Sequence, residues 1–219
     1  MATFTVMFEY FSRYADADQN YSCLQEEEFE AATLKEVVDQ IEADEDFDDS
    51  VGMNSDADSD DLQEAGRRIV YVLDKDNKVV QSRSSAKVRI EIFCDAEELT
   101  QAMNRDEAKA LDKKGKGDRD RVLAGMFSAH TGRFEGLFGK EFGDIKGYLR
   151  KPPADSGTKR TYVIGKKIEV GKLEHLLRDF SSEFPGGVSL FDIENKYYGS
   201  YRSGEPDSGG YCPSASFGL

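Results

Sequence analysis

The chain has 219 residues, a formal net charge of −14, 38% hydrophobic residues, fourteen Phe, ten Tyr, five Pro and no Trp. That length suits one large domain or two small ones; the Phe and Tyr supply apolar area for a core, and the five Pro and absent Trp give no sign of a fibrous or polyproline architecture. The charge is polarised: residues 1–66 hold twenty Asp/Glu against Arg13 and Lys35, whereas residues 67–219 hold twenty-three acidic and twenty-seven basic residues.

Phe4, Val6, Phe8 and Tyr10 alternate with Thr3, Thr5, Met7 and Glu9, a period-two strand pattern. The segment opens with neither a basic n-region nor a long apolar stretch, so it does not read as a signal peptide. Residues 15–20 read as a turn, and 21–31 as a possible return strand weakened by Glu26-Glu27-Glu28. Thr33 offers an N-cap with Glu36 three residues on, the capping-box spacing. Leu34, Val37, Val38 and Ile41 then form a helical apolar stripe that fades near Ala43. From Asp44 to Gly66 apolar residues are scattered among carboxylates, which reads as an acidic loop.

Ile69–Leu73 and Val79–Val80 flank Asp74-Lys75-Asp76-Asn77, a hairpin pattern, and Val88, Ile90 and Ile92 predict another strand. Asp95 with Glu98 predicts a capped helix, Lys113-Lys114-Gly115-Lys116-Gly117 an exposed basic linker, and Asp118 the start of a helix carrying Val122, Leu123, Met126 and Phe127. Pro152-Pro153 through Lys159 reads as a break. Tyr162–Ile164 and Ile168–Val170 around Gly165-Lys166 read as a hairpin, and Leu173, Leu176, Leu177, Phe180 and Phe184 as a regular helix stopped by Pro185-Gly186-Gly187. Val188–Ile193 reads as a strand.

The expected class is α+β. An N-terminal mixed or antiparallel sheet with one packed helix, β-grasp-like or ferredoxin-like, precedes a helix-rich unit with a β-hairpin. The corresponding divisions are 1–93, with the acidic loop at 44–66; 94–202, with the hairpin at 161–170; and a Gly/Ser/Pro-rich tail at 203–219.

Asp39 to Glu64 carries twelve carboxylates and no Lys or Arg. Carboxylates held at a surface can compete with nucleic-acid phosphates for a basic groove, since charge density supplies much of that affinity. Asp39, Glu42, Asp48, Asp49, Asp56, Asp58, Asp60 and Asp61 are the candidate partner-binding residues. The plain alternative is a solvated linker. Calcium is a poor fit: Asp16, Asp18, Asn20, Ser22 and Glu27 echo an EF-hand loop, but Tyr21 stands where Gly makes the turn. The repeat at Asp56, Asp58 and Asp60 meets Asp61 in place of Gly and Arg67 in place of the closing Glu.

Gly132, Gly136, Gly139, Gly143 and Gly147 interleave with Phe134, Leu137, Phe138, Phe142 and Ile145. Gly139-Lys140 fails the phosphate-loop pattern because Phe134 and Glu141 occupy its required positions. This segment is read as core or as a subunit contact over 132–149, where a close-packed backbone offsets the helical cost of Gly, about 1 kcal/mol each.

His130 and His175 are the only histidines, and neither has metal-ligand spacing. His130 reads as following a helix end, His175 as packing beside an apolar stripe. No catalytic residue, cofactor or metal is predicted, and the balance leans away from an enzyme. Cys23, Cys94 and Cys212 lack a CxxC pair and read as free thiols of a reducing compartment, the cytoplasm of the source cell or of a host. No apolar run nears the roughly 20 residues a membrane-spanning helix needs.

Lys140, Lys146, Arg150, Lys151, Lys159, Arg160, Lys166 and Lys167, with Tyr148 and Tyr162 interleaved, make the second half mildly basic. The leading expectation is a non-catalytic acidic protein that binds a basic, nucleic-acid-binding partner, in its sharpest form a nucleic-acid-mimicking inhibitor of phage or mobile-element type. The net charge argues against direct nucleic-acid binding by the whole chain. An alternative is a nucleic-acid-associated regulator whose basic half competes with its own acidic segment, and a motif-free small enzyme comes third.

Overall fold

The computed structural model describes residues 1–14, 21–43, 62–83, 85–155, 158–193 and 197–202. They divide into two units, one holding Met1–Ser84 with Val170–Lys172, the other Ser85–Glu169 with Leu173–Pro206. The α+β class holds: each unit has an antiparallel sheet with helical elements.

In the first unit, β1 (Ala2–Tyr14), β2 (Tyr21–Ala31), β3 (Leu62–Leu73) and β4 (Val79–Ser82) take the order β2-β1-β3-β4. One helix, α1 (Leu34–Ala43), joins this sheet, starting where the capping box placed it: Thr33 Oγ1 accepts from Glu36 N at 3.3 Å, and Glu36 Oε2 from Ala32 N at 2.7 Å. The period-two pattern of β1 sends Phe4, Val6, Phe8 and Tyr10 to a cluster with Val37, Ala31 and Val72, edged by Leu34, Ile41, Phe29 and Ile69. Met7 packs with Val70, Tyr71, Leu73 and Val79, so this central strand buries residues of both alternating sets. At the β3–β4 turn Asp74 Oδ1 accepts from Asp76 N and Lys78 N at 2.9 and 3.0 Å, and Asn77 adopts φ +59°, which Asn tolerates. Leu62–Gly66, assigned above to the acidic loop, instead opens β3. It pairs with the far end of β1, a long-range partner that local composition does not reveal.

The second unit orders its strands β6-β7-β5-β8-β9: β5 (Ser85–Phe93), β6 (Leu149–Asp155), β7 (Lys159–Glu169), β8 (Gly187–Asp192) and β9 (Tyr197–Arg202). Ser85–Phe93, grouped above with the first sheet, is thus the central strand of the second. Alternation identifies a strand but not its neighbours. The helices are α2 (Ala96–Gln101), α3 (Arg105–Asp112), α4 (Lys116–Phe142) and α5 (Val170–Ser182). The Asp95/Glu98 capping box forms as expected, and Asn104 with Glu107 makes a second one.

Three local readings change. Helix α4 runs unbroken through His130 and most of the glycine series, burying Leu123, Phe127, Thr131, Phe134 and Phe138 along one stripe. A side chain on Gly132, Gly136 or Gly139 would meet nothing within 4 Å, so close backbone packing does not explain these glycines. The expected 161–170 hairpin is one strand, β7, running into α5. Gly165 is set by proximity rather than by a turn, since a methyl there would sit 3.0 Å from Arg150 Cβ. Pro152 and Pro153 lie within β6, an outermost strand, where the register slips between Lys151 and Ala154. After α5, Gly186 at φ +129° makes the turn into β8.

The core of this unit is aromatic. Phe134 lies 5.2 Å from Tyr162, 5.6 Å from Phe180 and 6.0 Å from Phe138 between ring centres, and Phe180 stacks on Phe184 at 5.0 Å. Burying each such ring contributes roughly 1.5–3 kcal/mol.

Candidate functional site

The register of β2 sorts its carboxylates. Residues directly opposite each other share a face of an antiparallel sheet. Glu27 faces Val6 on the α1 side, whereas Glu26, Glu28 and Glu30 face Met7, Thr5 and Thr3 on the other. Strand β2 is outermost, so its exposed residues Glu26, Glu28 and Glu30 line a sheet edge at intervals of about 6.8 Å. Helix α1 adds exposed Glu36, Asp39 and Glu42. Over residues 24–43 seven carboxylates meet one cation, Lys35, which pairs with Asp39 at 2.6 Å.

Glu27 and Glu9 are used inside the unit. Tyr10 donates its hydroxyl to Glu27, Arg67 lies 3.8 Å from the same carboxylate, and the guanidinium sits 5.0 Å from the Phe8 ring centre. Burial first, then the Glu27 hydrogen bond, raises the Tyr10 hydroxyl above its ordinary pKa. Glu9 is buried and takes Arg68 in a two-pronged pair at 2.8 and 2.9 Å, with Arg83 at 2.7 Å. Such bidentate, charge-assisted bonds fix geometry as well as charge. The displayed carboxylates of β2 and α1 therefore stand on a frame whose internal acids are already neutralised.

Of the predicted binding residues, Asp39 and Glu42 are exposed on α1, which packs on the sheet side opposite to the one that Glu26, Glu28 and Glu30 line. Asp48, Asp49, Asp56, Asp58, Asp60 and Asp61 lie outside the described residues, as do both EF-hand-like repeats in large part. Glu26, Glu28 and Glu30 were missed as site residues, although their own i, i+2 spacing in a strand was the available signal.

In the second unit Tyr162 donates to Glu135 Oε1 at 2.9 Å, Arg160 donates to Thr131 Oγ1 at 2.6 Å, and Arg160 lies 3.8 Å from Glu135. Burial, then Glu135, pushes the Tyr162 hydroxyl far above its ordinary range. That suits a structural hydrogen-bond donor and removes it as a proton acceptor near neutrality. His130 rests edge-on against Phe184 at 4.9 Å, and burial, followed by Arg133, lowers its pKa. His175 lies 3.6 Å from Asp179 one helical turn on. Each histidine is thus held by packing or a local pair.

Among the described residues no group of three or more His, Cys, Asp or Glu is arranged to hold a metal ion, and no helix is long and apolar enough to cross a membrane. Set against known protein families, curated proteins and solved structures, the chain matches none.

Proposed function

We propose that this chain is a non-catalytic interaction protein whose exposed carboxylates, a ladder on β2 and a second set on α1 across the sheet from it, bind a basic site on a partner protein, in the manner of a nucleic-acid mimic. The reading rests on one observation: Glu26, Glu28, Glu30, Glu36, Asp39 and Glu42 are displayed on a strand and a helix, with Lys35 the lone basic residue among them. A strand holds its carboxylates in line at about 6.8 Å, twice the roughly 3.4 Å axial spacing of phosphates along one nucleic-acid strand. A basic groove that grips phosphates would meet a sparser but ordered anionic ladder. Electrostatic complementarity of this kind raises association rate and specificity, and salt weakens it. The setting that goes with this reading is the cytoplasm of the source cell or its host.

Competition tests it. The chain is titrated against a basic DNA-binding protein holding a labelled duplex, at low and high salt, and displacement is read by anisotropy. Displacement is expected at low salt, and a variant with Glu26, Glu28, Glu30 changed to Gln and Asp39 to Asn should displace at least tenfold less well. A variant that competes as well as the parent would remove these carboxylates from the account.

A further inference from the structure

Some basic residues of the second unit are committed to carboxylates. Lys159 binds Glu91 at 2.5 Å, Arg89 reaches Glu91 at 3.3 Å, and Arg160 lies 3.8 Å from Glu135. Other exposed cations, Lys113, Lys114 and Lys116 among them, form no ion pair among the described residues, and one further set is gathered by the fold. Lys146, Arg150, Lys151, Lys166 and Lys167 are all exposed, and none forms an ion pair among the described residues.

The backbone brings this set together. Gly165 N donates to Tyr148 O at 2.8 Å, Arg150 Cβ lies where a side chain on Gly165 would press at 3.0 Å, and Lys166 Nζ sits 4.9 Å from the Tyr148 ring centre. Against β5 the register steps from Ala86 opposite Ile168 to Val88 opposite Ile164, so Gly165-Lys166-Lys167 form a bulge facing a single residue. The platform beneath is firm. Tyr148 packs edge-on against buried Phe138 at 5.8 Å, and the 3-10 turn Ile145–Gly147 is capped by Asp144 on Lys146 N at 3.0 Å. The cations are therefore clustered by structure, and their neighbourhood leaves them for a ligand from outside.

We propose that this cationic bulge is a second binding surface, one that takes the phosphate backbone of single-stranded nucleic acid. Several point charges around one patch suit a chain of phosphates better than a single anion. Tyr148, half-buried with Lys166 over its ring, offers an aromatic surface of the kind on which unpaired bases stack once that lysine turns to a phosphate, and a duplex presents no unpaired base. A lipid surface fits less well: the exposed large hydrophobic residues among those described are Met1, Leu24 and Val80, all in the first unit, so the patch has no apolar anchor. The carboxylates of β2 and α1 are not used, and this surface stands or falls apart from the partner-binding reading. The chain's overall charge of −14 opposes binding at long range. That repulsion is screened beyond about 10 Å at 0.1 M salt, whereas direct contacts with phosphate persist.

The test is an anisotropy titration of the full chain with labelled oligo-dT and oligo-U of about 20 nucleotides, the length chosen to exceed the site size of common single-strand binders. Dissociation constants of about 10⁻⁶–10⁻⁴ M are expected at the low end of a roughly 50–200 mM salt series. Changing Arg150, Lys166 and Lys167 together to Ser should flatten the plot of log K against log salt by about two, since each single-strand phosphate contact contributes about 0.7. The pair Lys166→Ser, Lys167→Ser should flatten it by about 1.4 on the same basis, and circular dichroism confirms that both variants fold. The two oligomers separate DNA from RNA, and either one binding supports the site. No binding at the lowest salt, an unchanged slope in the folded variants, equal affinity for a duplex, or binding to phosphatidylserine vesicles in place of the oligomers would overturn it.

Discussion

The two units handle charge in opposite ways. In the first, cations are drawn inward: Arg67 and Arg83 are about one-eighth exposed, at 13% and 12%, and serve Glu27 and Glu9, while the carboxylates of β2 and α1 face solvent. In the second, carboxylates are drawn inward: Glu91 holds Lys159, Glu135 meets Tyr162 and Arg160, and buried Glu174 accepts from Tyr201 at 3.3 Å. Lysines and Arg150 then remain on its surface. The lesson is that buried ion pairs decide which charges remain for the surface: β2 and α1 of the first unit are left almost wholly acidic, whereas the second unit displays both signs, with Asp106, Glu107, Asp118 and Asp120 exposed as well as its lysines. Net charge by segment understates this, because Arg67, Arg68 and Arg83 count against the acidic residues in composition but lie bound to Glu27 and Glu9 in the fold.

The cores differ too, one resting on strands clustered against a single helix, the other on stacked aromatic rings, and substitutions can break each separately. The largest effect is expected from Phe134→Ala, which removes a fully buried ring touching Tyr162, Phe180 and Phe138 and should cost about 3–5 kcal/mol. Denaturant titration with hydrogen exchange should place the lost protection in α4 and β7. Protection lost equally in β1 and β3 would deny that the aromatic cluster belongs to one unit.

Glu9→Gln should follow, at roughly 3 kcal/mol, because two guanidiniums lose their shared anion in a largely buried site. Arg68, 40% exposed, moderates the loss by staying hydrated. The same exchange experiment should now find β1 and β3 weakened, and protection unchanged there would mean the triad is ornamental to the first sheet.

The smallest effect is a pH dependence in the second unit. The folded-state pKa of His130 is depressed below the ordinary 6.5, so below that value the unfolded chain binds more protons than the folded one. Stability should be full above pH 6.5, fall as pH drops through that value, and level off below the folded-state pKa. His130→Gln should remove this component from melting curves recorded across that range. An undiminished slope would assign it to other groups.

Much of the local structure was legible because it depends on neighbours a few residues away. The Thr33–Glu36 and Asp95–Glu98 caps, the Asp74–Asn77 turn and the Leu173–Phe180 stripe are satisfied within a turn or two of the chain. The candidate site was half legible: Asp39 and Glu42 stand where their helix puts them, but the ladder of Glu26, Glu28 and Glu30 needed the knowledge that β2 is outermost. Strand assignment says which way side chains alternate, whereas order and register come from partners far along the chain.

Sequence alone thus determined the α+β class, the capped starts of α1 and α2, the tight turn and the uneven distribution of charge, all consequences of local periodicity, capping and composition. Tertiary structure alone decided that Ser85–Phe93 joins the second sheet, that Gly165 lies in a bulge against Arg150, and which carboxylates and cations neutralise each other. The reason is physical. Pairing of strands and burial of ion pairs are long-range contacts, whose energies depend on which distant residues arrive at the same place.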